Sequence, residues 1–234
     1  MTAKVTYEEL DDGVALIRMD DGKVNALGVG LIGEIDAALD RAEAAGRAVV
    51  LVGRAGKFSA GFDMKAMTGG VESATEMLVA GAKLLARIYG FPRPVVAACS
   101  GHAIAAGALL LLAADTRIGT GGPFKLGLNE VAIGLRLPYF GLELARDRLA
   151  KQHLQTAVLQ AALVGPEDAV RMGYLDRVVD AEQLEAEAIA TAAGLAALPP
   201  KAYAATKLRL RQSTIGLMTE TLDADMDDIG NAFG

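Results

Sequence analysis

The run Ala103–Ala114, "AIAAGALLLLAA", carries no polar side chain. From about Ala105 it reads as a helix that is apolar on every side, and such a helix must be covered on every side. It is far short of the ~20 residues that span a bilayer. The chain must therefore wrap other layers around a buried helix. Its 234 residues, 52% of them apolar, supply one domain with a large core.

The flanking segments supply those layers. "GVALIRMD" reads as a strand, and "LGVGLIGEIDAALDRAEAAG" as an amphipathic helix that stops at Gly46. "RAVVLVG" is a short buried strand. "ESATEMLVAGAKLLARIYG" is a second amphipathic helix, broken by "FPRP". "VVAACS" and "TRIGT" are further strands on either side of the buried helix. Strand and helix alternate, which predicts an α/β fold with helices packed on sheets. After Pro138 the pattern becomes helical. "YFGLELARDRLAKQHLQTAVLQAALVG" reads as one helix and "PEDAVRMG" as another, with "LDRVV" as a short strand and then helices to the end. The expected division is a core over 1–195 and a helical region over 196–234.

Two small-residue runs carry the chemistry. In "KFSAGFDMKAM", residues 57–67, a strand ends and a helix soon begins. Gly61 allows backbone angles closed to other residues and lets a ligand approach, leaving the Phe62 amide free to face a cleft. In "AIAAGAL", Ala105, Ala106 and Gly107 open the buried helix. Its first amides have no internal partner and carry the positive end of the helix dipole. Two such amides aimed at one oxygen form an oxyanion hole. Close helix–sheet packing without a ligand asks for the same small residues.

A candidate carboxylate follows in "LGLNEVAIGL". Glu130 stands among Leu128, Val131, Ile133 and Leu135. Burial there would raise its pKa by desolvation and suit it to act as a general base near neutral pH. An exposed turn glutamate is the plainer alternative.

Composition excludes several classes. The formal charge is −6 with no basic cluster, which argues against nucleic acid as a partner. Cys99 is the one cysteine, so no internal disulfide forms and a reducing compartment is expected. The N-terminus lacks an apolar signal core, and a cytoplasmic protein without a membrane partner is expected. His102 and His153 have no zinc-like spacing to cysteine, and no metal is expected. "GTGGP" lacks the lysine and hydroxyl ending of a phosphate loop.

"FSAGFDMKAM", then "SGHAIAAGALLLLAADTRI", then "GLNEVAIGL" together resemble the enoyl-CoA hydratase/isomerase superfamily, the crotonase fold. "KVNAL" and "PEDAVRMGYLDRVV" extend the resemblance over nearly the whole chain. It implies a spiral of ββα units with a C-terminal helical region that packs between subunits of a homotrimer or dimer of trimers. It implies an acyl-CoA substrate whose thioester oxygen is held by the amides of Phe62 and Ala106. Contacts to coenzyme A are implied at Val24, Ala26, Ala60, Gly61, Asp63, Met64, Lys65 and Gly107. The coenzyme enters as part of the substrate, and no separate cofactor is expected.

Family hydratases use two glutamates, one matching Glu130. The other would stand where this chain has Leu109. That pattern resembles the single-glutamate Δ3,Δ2-enoyl-CoA isomerases of fatty-acid metabolism, with Glu130 as the proton shuttle. Glu143, in "YFGLELARD", is a second acidic candidate, and His102 reads as structural. Two alternatives stand beside the isomerase. One is a hydratase or another crotonase-type reaction. The other is an acyl-CoA-binding protein without catalysis.

Overall fold

The structure is a computed structural model and describes residues 3–233. The chain opens with strands β1 (Val5–Glu9) and β2 (Val14–Met19) and helix α1 (Val29–Ala44). Three ββα units follow. The first comprises β3 (Ala48–Val52), β4 (Gly56–Ser59), the short α2 (Met64–Met67) and α3 (Val71–Gly90). The second comprises β5 (Val95–Cys99), β6 (Gly101–Ile104) and α4 (Ala106–Ala113). The third comprises β7 (Thr116–Thr120), β8 (Leu126–Gly127), a 3-10 turn (Val131–Ile133) and α5 (Tyr139–Arg148). A second 3-10 turn (Lys151–His153) leads to α6 (Leu154–Val158), α7 (Pro166–Met172), β9 (Arg177–Val179), α8 (Leu184–Ala196), α9 (Pro200–Glu220) and α10 (Leu222–Phe233).

The first strand of each unit joins one sheet, in the order β1-β2-β3-β5-β7-β9. Its β1–β2 pairing is antiparallel and the rest are parallel. The second strands form a smaller parallel sheet, β4-β6-β8. This is the expected α/β spiral of ββα units.

Both faces of the large sheet are covered, so its strands are continuous apolar runs. Every residue of β3 and β5 is buried. Along β3, Val49 and Leu51 face the main core with α1, α3 and α4. Ala48, Val50 and Val52 face the other way, toward Leu184, Ala188 and Ala192 on α8. Those three recur every fourth residue and so share one helical face. Helix α4 is buried along its whole length, as its composition requires.

The single helix expected over 139–165 is broken. At Leu149 the backbone is extended, with φ −83° and ψ 151°. The next N–H, at Ala150, donates to Met172 O at 3.0 Å instead of to a helical carbonyl. A tertiary hydrogen bond thus overrides a favourable local periodicity.

After α8, helix α9 lies against α3 and α5. Its anchor is charged. Asp115, at the end of α4, accepts from Lys207 Nζ at 2.7 Å and pairs with Arg211 Nη1 at 2.8 Å. It also accepts the Val95 N–H at 2.7 Å. Arg211 donates to Tyr89 O and stacks over the Tyr89 ring. Burial pulls the Lys207 ammonium down to about 8, against the pull of Asp115. Removing one member of such a cluster leaves the others charged and unpaired. Asp115→Ala should therefore cost about 3–5 kcal/mol, read as a lower urea midpoint at unchanged slope.

Candidate active site

The three strands of the small sheet run parallel, so their carboxyl ends share one edge. Open α/β sheets bind ligands outside that edge. Strand β4 ends at Ser59 and delivers Gly61 and Phe62. Strand β6 ends at Ile104 and delivers Ala105 and Ala106. Strand β8 ends at Gly127 and delivers Glu130.

Gly61 has φ 93°, the left-handed side of backbone space. A methyl group there would lie 2.9 Å from Ile104 O and 3.2 Å from the Ala106 nitrogen. The two small-residue runs are thus in contact, and only glycine fits between them. Leu27 N–H donates to Gly61 O at 2.8 Å, and Asp63 N–H to Leu27 O at 3.3 Å. In that parallel bridge the Phe62 N–H points away from Leu27. The Phe62 ring packs onto Gly81 of α3. Its bulk therefore anchors the loop while its amide stays available.

Ala105 precedes α4 with φ 54° and ψ −126°, a strained conformation for a residue with a Cβ. It is held from both sides. Its N–H donates to Gly127 O at 2.9 Å, and its carbonyl accepts from Ala108 and Leu109. Ala106 is the first helical residue and has no partner one turn back. Neither the Phe62 nor the Ala106 N–H meets an acceptor among the described residues. Gly107 is buried, and an added methyl would lie 2.9 Å from Ser59 Cβ. It packs the start of α4 against the end of β4.

Glu130 is 8% exposed, and its Oε2 has no hydrogen-bond partner among the described residues. Burial raises its pKa to about 7, opposed only weakly by its own backbone N–H. The raised pKa matches the expectation, although of the flanking apolar residues only Leu128 is buried. Val131 is 46% exposed and Ile133 51% exposed. The 3-10 turn after Glu130 leaves the carboxyl and Leu128 inward and turns Val131, Ile133 and Leu135 outward. Tyr174 is buried nearby, its hydroxyl beside the Leu128 backbone. Burial, and then the Glu130 charge, raise the Tyr174 pKa against the Leu128 N–H. The hydroxyl lacks a partner of full hydrogen-bond geometry among the described residues.

The other expected contacts divide. Val24 and Ala26 run beside Ala60 and Gly61, with Ala60 N–H donating to Val24 O at 3.0 Å. Asp63 caps α2 by accepting from Lys65 N at 2.9 Å. Met64 and Lys65 are exposed on that helix. Leu109 is buried, with its side chain against Gly141 of α5. Glu143 pairs with Arg146 at 3.5 Å on α5. His102 Nδ1 accepts the Lys125 N–H at 3.1 Å, and its ring meets the Phe124 ring edge-on. Cys99 is buried, and burial pushes its thiol up to about 12. Among the described residues no cluster of His, Cys, Asp or Glu could hold a metal, and no helix is long and apolar enough to cross a membrane.

Two further residues shape the site. Asn25 is buried with φ 52° and donates to Met19 O at 2.9 Å and Phe58 O at 3.1 Å. Ser59 Oγ donates to Asn25 O at 2.8 Å and accepts the Gly61 N–H at 3.2 Å. Together they lock the Val24–Ala26 segment to the Gly61 loop. The sequence signal was the asparagine in "KVNAL", a residue type that tolerates left-handed backbone.

A model of the enoyl-CoA hydratase/isomerase family matches residues 9–232. The chain belongs to the enoyl-CoA hydratase/isomerase family. It is 29% identical over 227 residues to human mitochondrial enoyl-CoA delta isomerase 1, covering 92% of this chain and 73% of that protein. It is 35% identical over 202 residues to a probable enoyl-CoA hydratase of Rhodobacter capsulatus, covering 85% and 78%. The crystal structure of a family member from Pseudomonas syringae is 42% identical and superposes with a TM-score of 0.94 over 97% of this chain and 98% of that one. Relatives described as isomerases and as hydratases thus both resemble this enzyme.

Two outcomes test the geometry. Gly61→Ala should destabilise the protein by about 1–3 kcal/mol and lower kcat/KM at least about tenfold. For Glu130 the folded pKa lies above the unfolded one, so folding loses stability as pH rises from about 4.5 to about 7. Glu130→Gln should therefore be more stable than the parent at pH 8, by up to about 3 kcal/mol, measured by urea denaturation across pH.

Proposed function

We propose that this enzyme is a Δ3,Δ2-enoyl-CoA isomerase of fatty-acid metabolism, acting on an acyl-CoA thioester. The observation that carries the reading is one buried carboxyl, Glu130, in a chain whose other expected carboxylate position holds a buried leucine, Leu109. A hydratase must hold and activate a water, and Leu109 can neither orient water nor exchange a proton. A double-bond shift needs only one group that takes a proton and returns it.

The reaction balances with no added reactant. Ionised Glu130 removes a proton from C2 of a 3-enoyl thioester. The electron pair spreads over the conjugated dienolate, and its oxyanion is stabilised by the Phe62 and Ala106 amides. Protonated Glu130 then delivers the same proton to C4, leaving the 2-enoyl thioester. Fixed donors of this kind lower a barrier by about 3–4 kcal/mol each. A base near 7 is well matched to both halves of the shuttle. Coenzyme A is held along Val24, Ala26, Ala60, Asp63 and Met64, mostly by backbone, with Lys65 meeting a phosphate. The exposed leucines Leu208, Leu210 and Leu217 on α9 support self-association into a trimer or dimer of trimers.

The test pairs two substrates. With 3-trans-hexenoyl-CoA the parent should form the conjugated thioester, while crotonyl-CoA should not be hydrated at a comparable rate. Glu130→Gln should lose turnover at least about a thousandfold and still bind an acyl-CoA by calorimetry. Efficient hydration by the parent would overturn the isomerase reading. Binding without turnover or exchange of the C2 proton into deuterated solvent would leave a binding protein.

A further inference from the structure

Helix α5 begins without a local cap. Its N-cap residue is Pro138, with φ −58° and ψ 152° and no side-chain acceptor. The first amides of a helix need partners from elsewhere. Asp225, on α10, supplies them. Its Oδ1 accepts the Tyr139 N–H at 2.7 Å, and its Oδ2 lies 3.4 Å from the Phe140 nitrogen as a second acceptor. Asp225 is itself buried, and a carboxylate at a helix N-terminus gains from the dipole as well as the hydrogen bonds. Leu222 and Met226 on the same helix pack on the main core, so the inward face of α10 is fixed.

The segment that this contact closes off is 131–138. At its start, Ile133 N–H and Leu135 N–H return to Glu130 O at 3.1 and 2.9 Å. Between its ends, Val131, Ile133 and Leu135 are exposed and contribute little packing. Leu137 reaches inward toward Gly141. The Glu130 carbonyl holds the start of the segment and Asp225 the start of the helix that follows it, with Leu137 packed on the core between them.

We propose that Asp225 is a positioning residue for Glu130, clamping the start of α5 so that the segment bearing the carboxyl keeps one conformation. The inference rests on Glu130 being the base. It gives α10 a role within its own subunit, apart from any contact between copies. Freeing the clamp lets the segment shift and water reach the carboxyl, so both the placement and the proton affinity of Glu130 change together. No charged side chain contributes to the raised pKa of Glu130, and Tyr174 is the titratable neighbour that its charge affects.

The experiment measures kcat and KM with 3-trans-hexenoyl-CoA from pH 5 to 9, beside thermal melts, for full-length Asp225→Ala, Asp225→Asn and Tyr139→Pro. Proline is tolerated at a first helical position and removes the N–H that Asp225 receives. Asp225→Ala and Tyr139→Pro should lower kcat at least about tenfold with KM little changed. Their acid limb of kcat/KM should move to lower pH. Asp225→Asn still accepts the Tyr139 N–H and should restore most of kcat. If folded Asp225→Ala or Tyr139→Pro keeps the parental kcat and acid limb while only the melt falls, Asp225 is an ordinary cap and the proposal is overturned. Should Asp225→Ala fail to fold, Tyr139→Pro alone decides. Glu130→Gln, run in parallel, separates the two claims. If that variant is inactive and the clamp variants behave like the parent, only the clamp is wrong. If Glu130→Gln turns over normally, the base and the clamp fall together.

Discussion

The short parallel ladder of β4, β6 and β8 decides where every reactive group stands. Its strands are linked by few hydrogen bonds, yet each carboxyl end releases one functional loop. Parallel pairing cannot be made by a hairpin, so each strand needs a long connection that passes through the large sheet and a helix. The ββα spiral is the solution to that requirement. The large sheet and its helices supply the burial, and the small sheet collects the ends.

Within that arrangement two kinds of force share the work. Apolar burial sets the layers, and polar contacts set the local geometry. Asn25 and Ser59 tie one loop down. Ala105 is pinned between Gly127 and the first turn of α4. Asp115 with Lys207 and Arg211 draws the C-terminal helices onto the same body. Several polar atoms without partners among the described residues, on Asn129 and Glu130 and at the amides of Phe62 and Ala106, lie on the segments that follow this edge, with that of Tyr174 beside Leu128, while Arg47 and Arg93 each leave a Nε unpaired elsewhere. Unsatisfied groups are costly to bury, so those beside the ends of β4, β6 and β8 call for a ligand there.

Much of this was legible in the residues. The strands β2, β3, β5, β7 and β9 of the large sheet and the helices α1, α3 and α4 follow from apolar runs and their periods, whereas β1, with its mostly exposed VTYEE, does not. The strands β6 and β8 do not, because they are short and glycine-bearing and exist through pairing with distant partners. The break after α5 depends on Met172 accepting a hydrogen bond across the fold. Glu130 was recognisable as a carboxyl in an apolar context, although of its named neighbours only Leu128 is buried and Val131 and Ile133 turn outward. Asn25 was missed, and its residue type, which tolerates a left-handed backbone, was the one local signal for it. The cap that Asp225 provides lies 86 residues from Tyr139 and leaves no local trace.

The conformation of Ala105 has a consequence for how this protein can change. A non-glycine residue at φ 54° and ψ −126° stores strain of about 1–3 kcal/mol. Selection for heat resistance alone would favour glycine there, relaxing the backbone at the entrance to α4. The same relaxation would loosen the amide of Ala106 that follows. Robustness and turnover therefore pull in opposite directions at this residue, and a chain kept for its chemistry retains the methyl group.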